Sequence, residues 1–179
     1  MPVHLLVAVD GSAIAESAVE TALSMARRLG ARLTVFYAMA TAGAYSLSTL
    51  PPFVDRQQIR SQTLLEIHQL IAEQAQRYLE SLVLQRQPSA DDLDAVAMDW
   101  ECRESDKPWQ AILDAASRLG CDLIVMASHG RHGLEAVLLG SETQKVVTHS
   151  TVPVLVVPPP RQHQVSRVEP SDTGATAAA

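Results

Sequence analysis

The chain has 179 residues, of which 47% are hydrophobic, 19% charged and 4% aromatic. Such a length and composition are typical of one globular domain whose core is built from Val, Leu, Ile and Ala. A formal net charge of -6 without any run of Lys and Arg argues against nucleic acid as a partner. Without a charged leader or a bilayer-length apolar stretch, we expect a cytoplasmic protein with no membrane partner.

The first forty residues predict a strand, a helix and a second strand. The apolar run His4–Val9 predicts a strand that is buried on both faces. Ala and Val then recur at helical spacing, with Ser12 as the expected N-cap and Gly30 just past the helix end. Residues 32–40 predict the second strand. This order indicates a βαβ unit, and therefore a parallel sheet.

A long loop and a long helix are predicted next. Residues 41–55 are rich in small residues and contain a Pro pair. Because loops of this length are commonly functional, we expect this one to fold over a ligand cleft as a lid. Residues 56–85 carry apolar side chains along one stripe, which predicts an amphipathic helix. Residues 95–104 alternate with polar side chains, as an edge strand does.

The remaining elements complete an α/β pattern. The third helix has Pro108 in its first turn and Gly120 just past its end. Residues 122–128 predict a fourth buried strand, residues 141–149 a fourth helix, and residues 152–157 a fifth strand. Strands and helices in this order predict an α/β fold, a five-stranded parallel sheet with helices on both faces.

Domain boundaries follow from a change in composition. Residues 1–158 carry the periodic elements and are predicted to form one domain. Residues 159–179 are rich in Pro and small polar residues, without periodicity. We therefore expect a disordered C-terminal tail. Two cysteines, Cys102 and Cys121, lack metal or redox spacing and are expected to be buried or half-buried thiols.

Polar and glycine residues follow the first and fourth strands. In a doubly wound sheet, ligands bind beyond the carboxyl ends of the strands. Asp10 is there either as an ordinary turn residue or as an acceptor for a ribose hydroxyl or an adenine amine. Gly130 and Gly133 either make a flexible connection or let the backbone approach a ligand closely. Ser141 followed by Gln144 predicts a capping box at a helix start, which is also an anion site.

Other phosphate-binding and catalytic motifs are missing from the sequence. There is no G-x-x-x-x-G-K-[ST] and no G-x-G-x-x-G. The local side-chain charge is also balanced, with Arg131 and Lys145 against Glu135 and Glu142. Backbone N–H groups would therefore hold any phosphate, with a divalent cation sharing its charge. His129 and His132 have no further ligand at metal-site spacing, and Ser128 is not in a G-x-S-x-G turn. We expect no protein metal ligands and no catalytic residues.

Three segments together resemble the universal stress protein family over residues 3–157. They are LLVAVDGS, DLIVMASHGRHGLEAVLLGS and TQKVVTHSTVPVLVV. Members that bind ATP carry G-x-x-G-x(9)-G-[ST], and the corresponding residues here are Ala127, Gly130, Gly140 and Ser141, with alanine in the first glycine position. The resemblance implies a Rossmann-like, adenine-nucleotide alpha-hydrolase-like fold with strand order 3-2-1-4-5.

The resemblance also implies a ligand and roles for individual residues. The ligand would be ATP with Mg²⁺, in a cleft at the C-terminal ends of strands 1 and 4. By this resemblance, Asp10 and Ala38 would contact the nucleoside, and Ala8 and Met126 would form the pocket wall. The residues that would adjoin the phosphates are Ala127, Gly130, Arg131, His132, Gly140 and Ser141.

The expected function is that of a small stress-response regulator that binds a nucleotide without being an enzyme. Two alternatives stay open: a dimeric interaction module of the same fold that binds no nucleotide, and an ATPase or phosphoryl carrier at Ser141. The family also implies a homodimer. Pairing through the strand Val152–Val157 would cover an apolar edge that a monomer would expose.

Overall fold

The structure is a computed structural model that describes residues 2–41, 50–59, 63–86, 95–129 and 139–159. Within these residues, strands and helices alternate along the chain. The α-helices and strands are β1 His4–Val9, α1 Ala13–Leu29, β2 Arg32–Met39, α2 Leu64–Leu84, β3 Met98–Glu104, α3 Pro108–Leu119, β4 Leu123–Ala127, α4 Ser141–His149 and β5 Val154–Val157. No helix in the described ranges is both long enough and apolar enough to cross a membrane.

All strand pairs in the sheet are parallel, and the strand order is β3-β2-β1-β4-β5. This confirms the predicted order 3-2-1-4-5. The order reverses at β1, which pairs with β2 on one side and β4 on the other. The connections that leave β1 and β4 therefore run to opposite faces of the sheet, and a crevice opens between the carboxyl ends of these strands.

Helices cover both faces of the sheet, as predicted, and create two apolar cores. Leu5, Val7 and Val9 of β1 pack with α1 and α2 in one core. Leu6 and Ala8 face the opposite side and pack with α3 and α4 in the other. Because successive residues of a strand point to opposite faces, a central strand covered on both sides is apolar throughout.

The helix predicted over residues 56–85 begins later than expected. Thr63 caps α2: its hydroxyl accepts from the Glu66 N–H, and the Glu66 carboxylate accepts from the Thr63 N–H. This capping box places the first helical residue at Leu64. Upstream, Asp55 caps only a short 3₁₀ turn, Arg56–Gln58. The predicted start was wrong because the apolar stripe was extended past this cap.

The lid predicted in residues 41–55 is not supported by their described part. Residues 42–49 lie outside the described residues. Leu50 and Val54 are buried in the core shared by α1 and α2. Phe53 stacks on Tyr78 with ring centroids 4.7 Å apart, and its ring lies against Gly11. Residues 50–54 are therefore a packed part of the domain, because their apolar side chains fill the space between α2 and the end of β1.

Both cysteines are free thiols, as predicted; Cys121 is buried and Cys102 half-buried. Burial raises the pKa of each thiol to about 11, so neither is a thiolate near neutral pH. The predicted tail falls almost wholly on residues 160–179, which lie outside the described residues.

A buried histidine lies at the end of the sheet opposite the crevice. The Leu119 carbonyl can only accept, so Nδ1 of His4 donates to it over 3.2 Å. Nε2 then accepts from the Thr34 hydroxyl over 2.8 Å. Both contacts suit a neutral imidazole, and burial lowers the pKa of His4 below 6.5.

We expect the free energy of unfolding to decrease as the pH falls below about 6.5, since only the unfolded chain then readily protonates His4. The contribution is fully present above that pH and is lost towards the lower pKa of the folded state, by at most about 1.4 kcal/mol per pH unit. Urea unfolding at several pH values measures the effect. In His4→Gln the pH dependence should shrink, and in the control His149→Gln it should persist. An unchanged dependence in His4→Gln would contradict the assignment.

Candidate functional site

A cleft of about 260 Å³ opens where the strand order reverses, between the sheet and the N-terminal ends of α3 and α4. Residues of β1, β2 and β4 form its floor, and the two helices form its far wall. The lining residues are Ala8, Val9, Asp10, Ala15, Phe36, Tyr37, Ala38, Pro108, Ile112, Met126, Ala127, His129, Gly140, Ser141, Glu142 and Thr143.

The turn after β1 holds Asp10 at the edge of the cleft. One carboxylate oxygen accepts from the backbone N–H of Ser12 at 3.0 Å and from its hydroxyl at 2.7 Å. The Ser12 oxygen in turn accepts from the Ala15 N–H, which caps α1. Gly11 has φ of 84°, and a β-carbon there would come within 2.8 Å of Phe53. Glycine is therefore required at this turn for both its conformation and its lack of a side chain.

The cleft floor and the adjoining part of the α3 wall are apolar. Ala8 and Met126 are buried side chains on the α3/α4 side of the sheet, and Ala38 is half-buried beside them. Phe36 and Ile112 complete this surface. The sequence reasoning missed both, because nothing in the periodicity of a buried strand or helix shows which residues reach the end of a cleft. An apolar surface of this kind suits a planar ring system.

Ala127 lies in the strand itself. It is the last residue of β4 and pairs with Val157 of β5. Its backbone is therefore extended, and a position of this kind does not require the left-handed conformation that favours glycine. The methyl group belongs to the core on the α1 side of the sheet, whereas Ala8 and Met126 face the α3/α4 side. The alanine substitution is thus compatible with an open cleft.

The start of α4 differs from the predicted capping box. Gly140 is the N-cap, and its carbonyl accepts from the Gln144 N–H at 2.9 Å. Ser141 is the first helical residue, is exposed, and does not cap the helix. The capping-box prediction was wrong by one residue of register. The N–H of Gly140 already donates to the Ser128 carbonyl at 2.7 Å, so the donors available to a ligand are those of the first helical turn.

Further hydrogen bonds join α4 to the sheet. The buried hydroxyl of Thr143 donates to the Ala127 carbonyl at 3.0 Å. The Ser128 N–H donates to the Val157 carbonyl at 2.8 Å. Together with the bond from Gly140 to Ser128, these contacts place the positive end of the α4 dipole beside the cleft.

The acidic and histidine residues among the described lining are Asp10, Glu142 and His129. One oxygen of Glu142 accepts from the Trp109 N–H at 2.9 Å, which caps α3 in place of Lys107, whose side chain makes no capping bond. The other oxygen accepts from the Lys145 ammonium at 2.8 Å. The imidazole Nδ1 of His129 lies 3.1 Å from the Ser128 hydroxyl.

The structure brings seven of the ten predicted binding residues into this cleft: Ala8, Asp10, Ala38, Met126, Ala127, Gly140 and Ser141. The other three, Gly130, Arg131 and His132, lie outside the described residues. Their roles towards a ligand stay predictions. No group of three or more His, Cys, Asp or Glu side chains suited to hold a metal ion occurs in the part of the chain that the structure describes.

Known proteins are similar to this chain along most of its length. The model of the universal stress protein family matches residues 1–158. A universal stress protein from Synechocystis sp. is 31% identical over 156 residues, which are 86% of this chain and 96% of that protein. The similarity therefore extends well beyond the loop after β4.

Solved structures have the same fold. The universal stress protein UspA from Lactobacillus plantarum matches with a TM-score of 0.66 and 29% identity, covering 87% of this chain and 97% of that one. The universal stress protein from Archaeoglobus fulgidus in complex with dAMP matches with a TM-score of 0.54 and 17% identity, covering 87% and 98%. The latter likeness concerns the fold alone.

We expect Thr143→Val to lower the free energy of unfolding by about 1–2 kcal/mol, because it removes a buried hydrogen bond at constant shape. Thr148→Val is the matched control. It removes a hydroxyl that bonds within the same helix at an exposed position, and its effect should stay within about 0.5 kcal/mol. Urea unfolding of both variants measures the difference. Equal effects would show that the bond from Thr143 to Ala127 does not hold α4 on the sheet.

Proposed function

This chain belongs to the universal stress protein family, and from that premise we propose that it is a cytoplasmic stress-response regulator that binds ATP with Mg²⁺ in the cleft. The observation that supports this proposal best is the arrangement of the cleft. An apolar wall, the hydrogen-bonded carboxylate of Asp10 and the N-terminal end of α4 lie together where the strand order reverses. A family member of the same fold was solved with dAMP, which supports an adenine nucleotide as the class of ligand.

Each part of an adenine nucleotide has a counterpart in the cleft. The apolar surface of Ala8, Ala38 and Met126 would receive the adenine ring, and Asp10 would accept from a ribose hydroxyl. The phosphates would lie at the start of α4, near Ser141. The volume of about 260 Å³ lies just below the usual range of about 300–1,000 Å³ for small-molecule sites. It suits an enclosed nucleoside with its phosphates at the rim.

Mg²⁺ would supply positive charge at the phosphates. Among the described residues that line the cleft there is neither Lys nor Arg, so their side chains would not neutralise a triphosphate. The chain would contribute the N–H groups of the first turn of α4 and the hydroxyl of Ser141. Because Ser141 is exposed and unused as a cap, it is available to donate to a phosphate oxygen.

We propose a binding protein rather than an enzyme. Among the described residues that line the cleft, the imidazole that could act as a general base is that of His129. Its Nδ1 lies 3.1 Å from the Ser128 hydroxyl. The competing proposal is phosphoryl transfer to Ser141, whose exposure favours it. Phosphate release or labelling that disappears in Ser141→Ala, with folding retained, would establish that alternative.

We expect ATP with Mg²⁺ to raise the melting temperature of the purified protein by mass action. Native mass spectrometry should detect any nucleotide that co-purifies. Because Ala127 is an extended strand residue, Ala127→Gly should leave the nucleotide affinity within about twofold while lowering the free energy of unfolding by about 1 kcal/mol.

Two results would contradict these expectations. No shift in melting temperature at millimolar ATP, together with no co-purified nucleotide, would favour a dimeric interaction module that does not bind nucleotides. A large gain of affinity in Ala127→Gly would show instead that the methyl group obstructs the ligand.

We further propose a homodimer that pairs through the strand Val152–Val157. The two edges of the sheet differ in chemistry. The edge strand β3 carries charged side chains, among them Asp99, Arg103 and Glu104, which discourage pairing with another strand. The edge strand β5 reads VLVV and carries none, although three of its four residues are only partly buried. A second copy across a twofold axis would cover that edge.

We expect Val156→Lys to convert the dimer to a monomer, because it places a charge in the proposed interface. Val156 is half-buried and belongs to neither core cluster, so the fold should tolerate the change. Leu84→Lys is the control: Leu84 is an exposed apolar residue of α2, the helix that contacts β2 and β3. Analytical ultracentrifugation measures the assembly state. A wild-type monomer, or a dimer that persists in Val156→Lys, would contradict pairing through β5.

A further inference from the structure

The described lining of the cleft is unfavourable for a highly charged anion. Of these described residues, Asp10 and Glu142 are carboxylates, and none is Lys or Arg. Among the described residues, the favourable contribution comes from the start of α4, a partial charge of about half a unit. Such a balance tolerates a ligand with few negative charges better than one with many.

Glu142 has the position from which to impose this preference. It is the second residue of α4, next to Ser141, where the phosphates are proposed to lie. Its carboxylate also accepts from the Trp109 N–H at the start of α3. The second helix N-terminus that faces the cleft is thereby occupied by a protein carboxylate, and its partial positive charge is not available to a phosphate.

Lys145 moderates the charge of Glu142. Its ammonium lies 2.8 Å from one carboxylate oxygen, and the pair is one turn apart on α4. The carboxylate lines the cleft, whereas Lys145 does not. Neutralising Glu142 would thus make the rim of the cleft more positive, and neutralising Lys145 would make it more negative. Neither change would alter the apolar wall or the Asp10 turn.

We infer that Glu142 is a specificity-determining residue that selects nucleotides by the charge of their phosphates. Nucleoside monophosphates and cyclic monophosphates bind without a divalent cation, and a nucleoside triphosphate binds well only with its charge offset by one. This inference rests on the proposed function, since it assigns the ligand class of the same cleft.

Isothermal titration calorimetry with AMP, with ATP in EDTA and with ATP in excess Mg²⁺ tests the inference. In the wild type, AMP should bind with little dependence on Mg²⁺, while ATP in EDTA should bind at least about tenfold more weakly than ATP with Mg²⁺. Glu142→Gln keeps an oxygen acceptor for the Trp109 N–H and removes the charge. It should reduce the gap between the two ATP conditions, which is the ratio of the ATP affinities with and without Mg²⁺, about tenfold. It should change the affinity for AMP less than about threefold.

Two further variants complete the test. Lys145→Gln should widen the gap between the two ATP conditions, because it leaves Glu142 without its counter-ion. Glu20→Gln removes the same charge from an exposed carboxylate on α1 that pairs with Arg86, and it should leave the gap unchanged. Melting temperatures without nucleotide establish that each variant is folded.

The possible failures are distinguishable. If neither AMP nor ATP binds the folded wild type under any of these conditions, the proposed function and the inference are both wrong. If AMP and ATP bind but the gap is the same in the wild type and Glu142→Gln, nucleotide binding stands and the role of Glu142 is wrong. A gap that changes equally in Glu142→Gln and Glu20→Gln would reflect net charge alone and would also overturn it.

Discussion

Three hydrogen bonds join the end of β4 to its surroundings, and the cleft depends on them. Ser128 donates to the Val157 carbonyl and accepts from the Gly140 N–H, while Thr143 donates to the Ala127 carbonyl. The strand end, the edge strand and the start of α4 are thus joined within a few residues. Since the donors of a helix start can serve a ligand only from a fixed position, this junction determines where an anion can bind.

The same junction connects two elements with different proposed roles, β5 and α4. Ser128 contacts β5, the edge proposed for dimer pairing, and α4, the helix proposed to hold phosphates. The proposed pairing of β5 and the proposed occupation of the cleft would therefore act on a shared backbone segment. Across the sheet, the turn at Asp10 is held by a different set of contacts, the cap of α1 and the packing of Phe53 on Gly11. The two sides of the cleft are thus supported independently.

The described lining of the cleft differs in charge from a strong polyphosphate site. A P-loop places a lysine at the phosphates, whereas the described lining here has two carboxylates and no lysine or arginine. Glu142 has a structural reason to be acidic, because it caps α3 through the Trp109 N–H. A carboxylate that stabilises the fold is therefore placed beside the proposed phosphate position, and the electrostatics of the ligand site follow from a requirement of helix packing.

The sequence by itself determined the class of fold and most element positions. The continuous apolar run His4–Val9 placed β1, and the local signals Ser12, Gly30, Pro108 and Gly120 placed the ends of α1 and α3. The Thr63–Glu66 capping box was equally local and was overlooked. The alternation of strands and helices pointed to a parallel, doubly wound sheet, and the apolar runs of β1, β2 and β4 indicated strands that are covered on both faces.

Only the tertiary structure decided which residues meet. Glu142 contacts Trp109 across 33 positions of sequence, and Phe53 packs on Gly11, and neither contact leaves a periodic signal. It also decided that the methyl group of Ala127 lies in the core on the α1 side of the sheet, a question that the motif spacing left open. Local propensity and periodicity depend on neighbouring residues and can be read from the chain. A cleft, its charges and its caps depend on elements that come together only after folding.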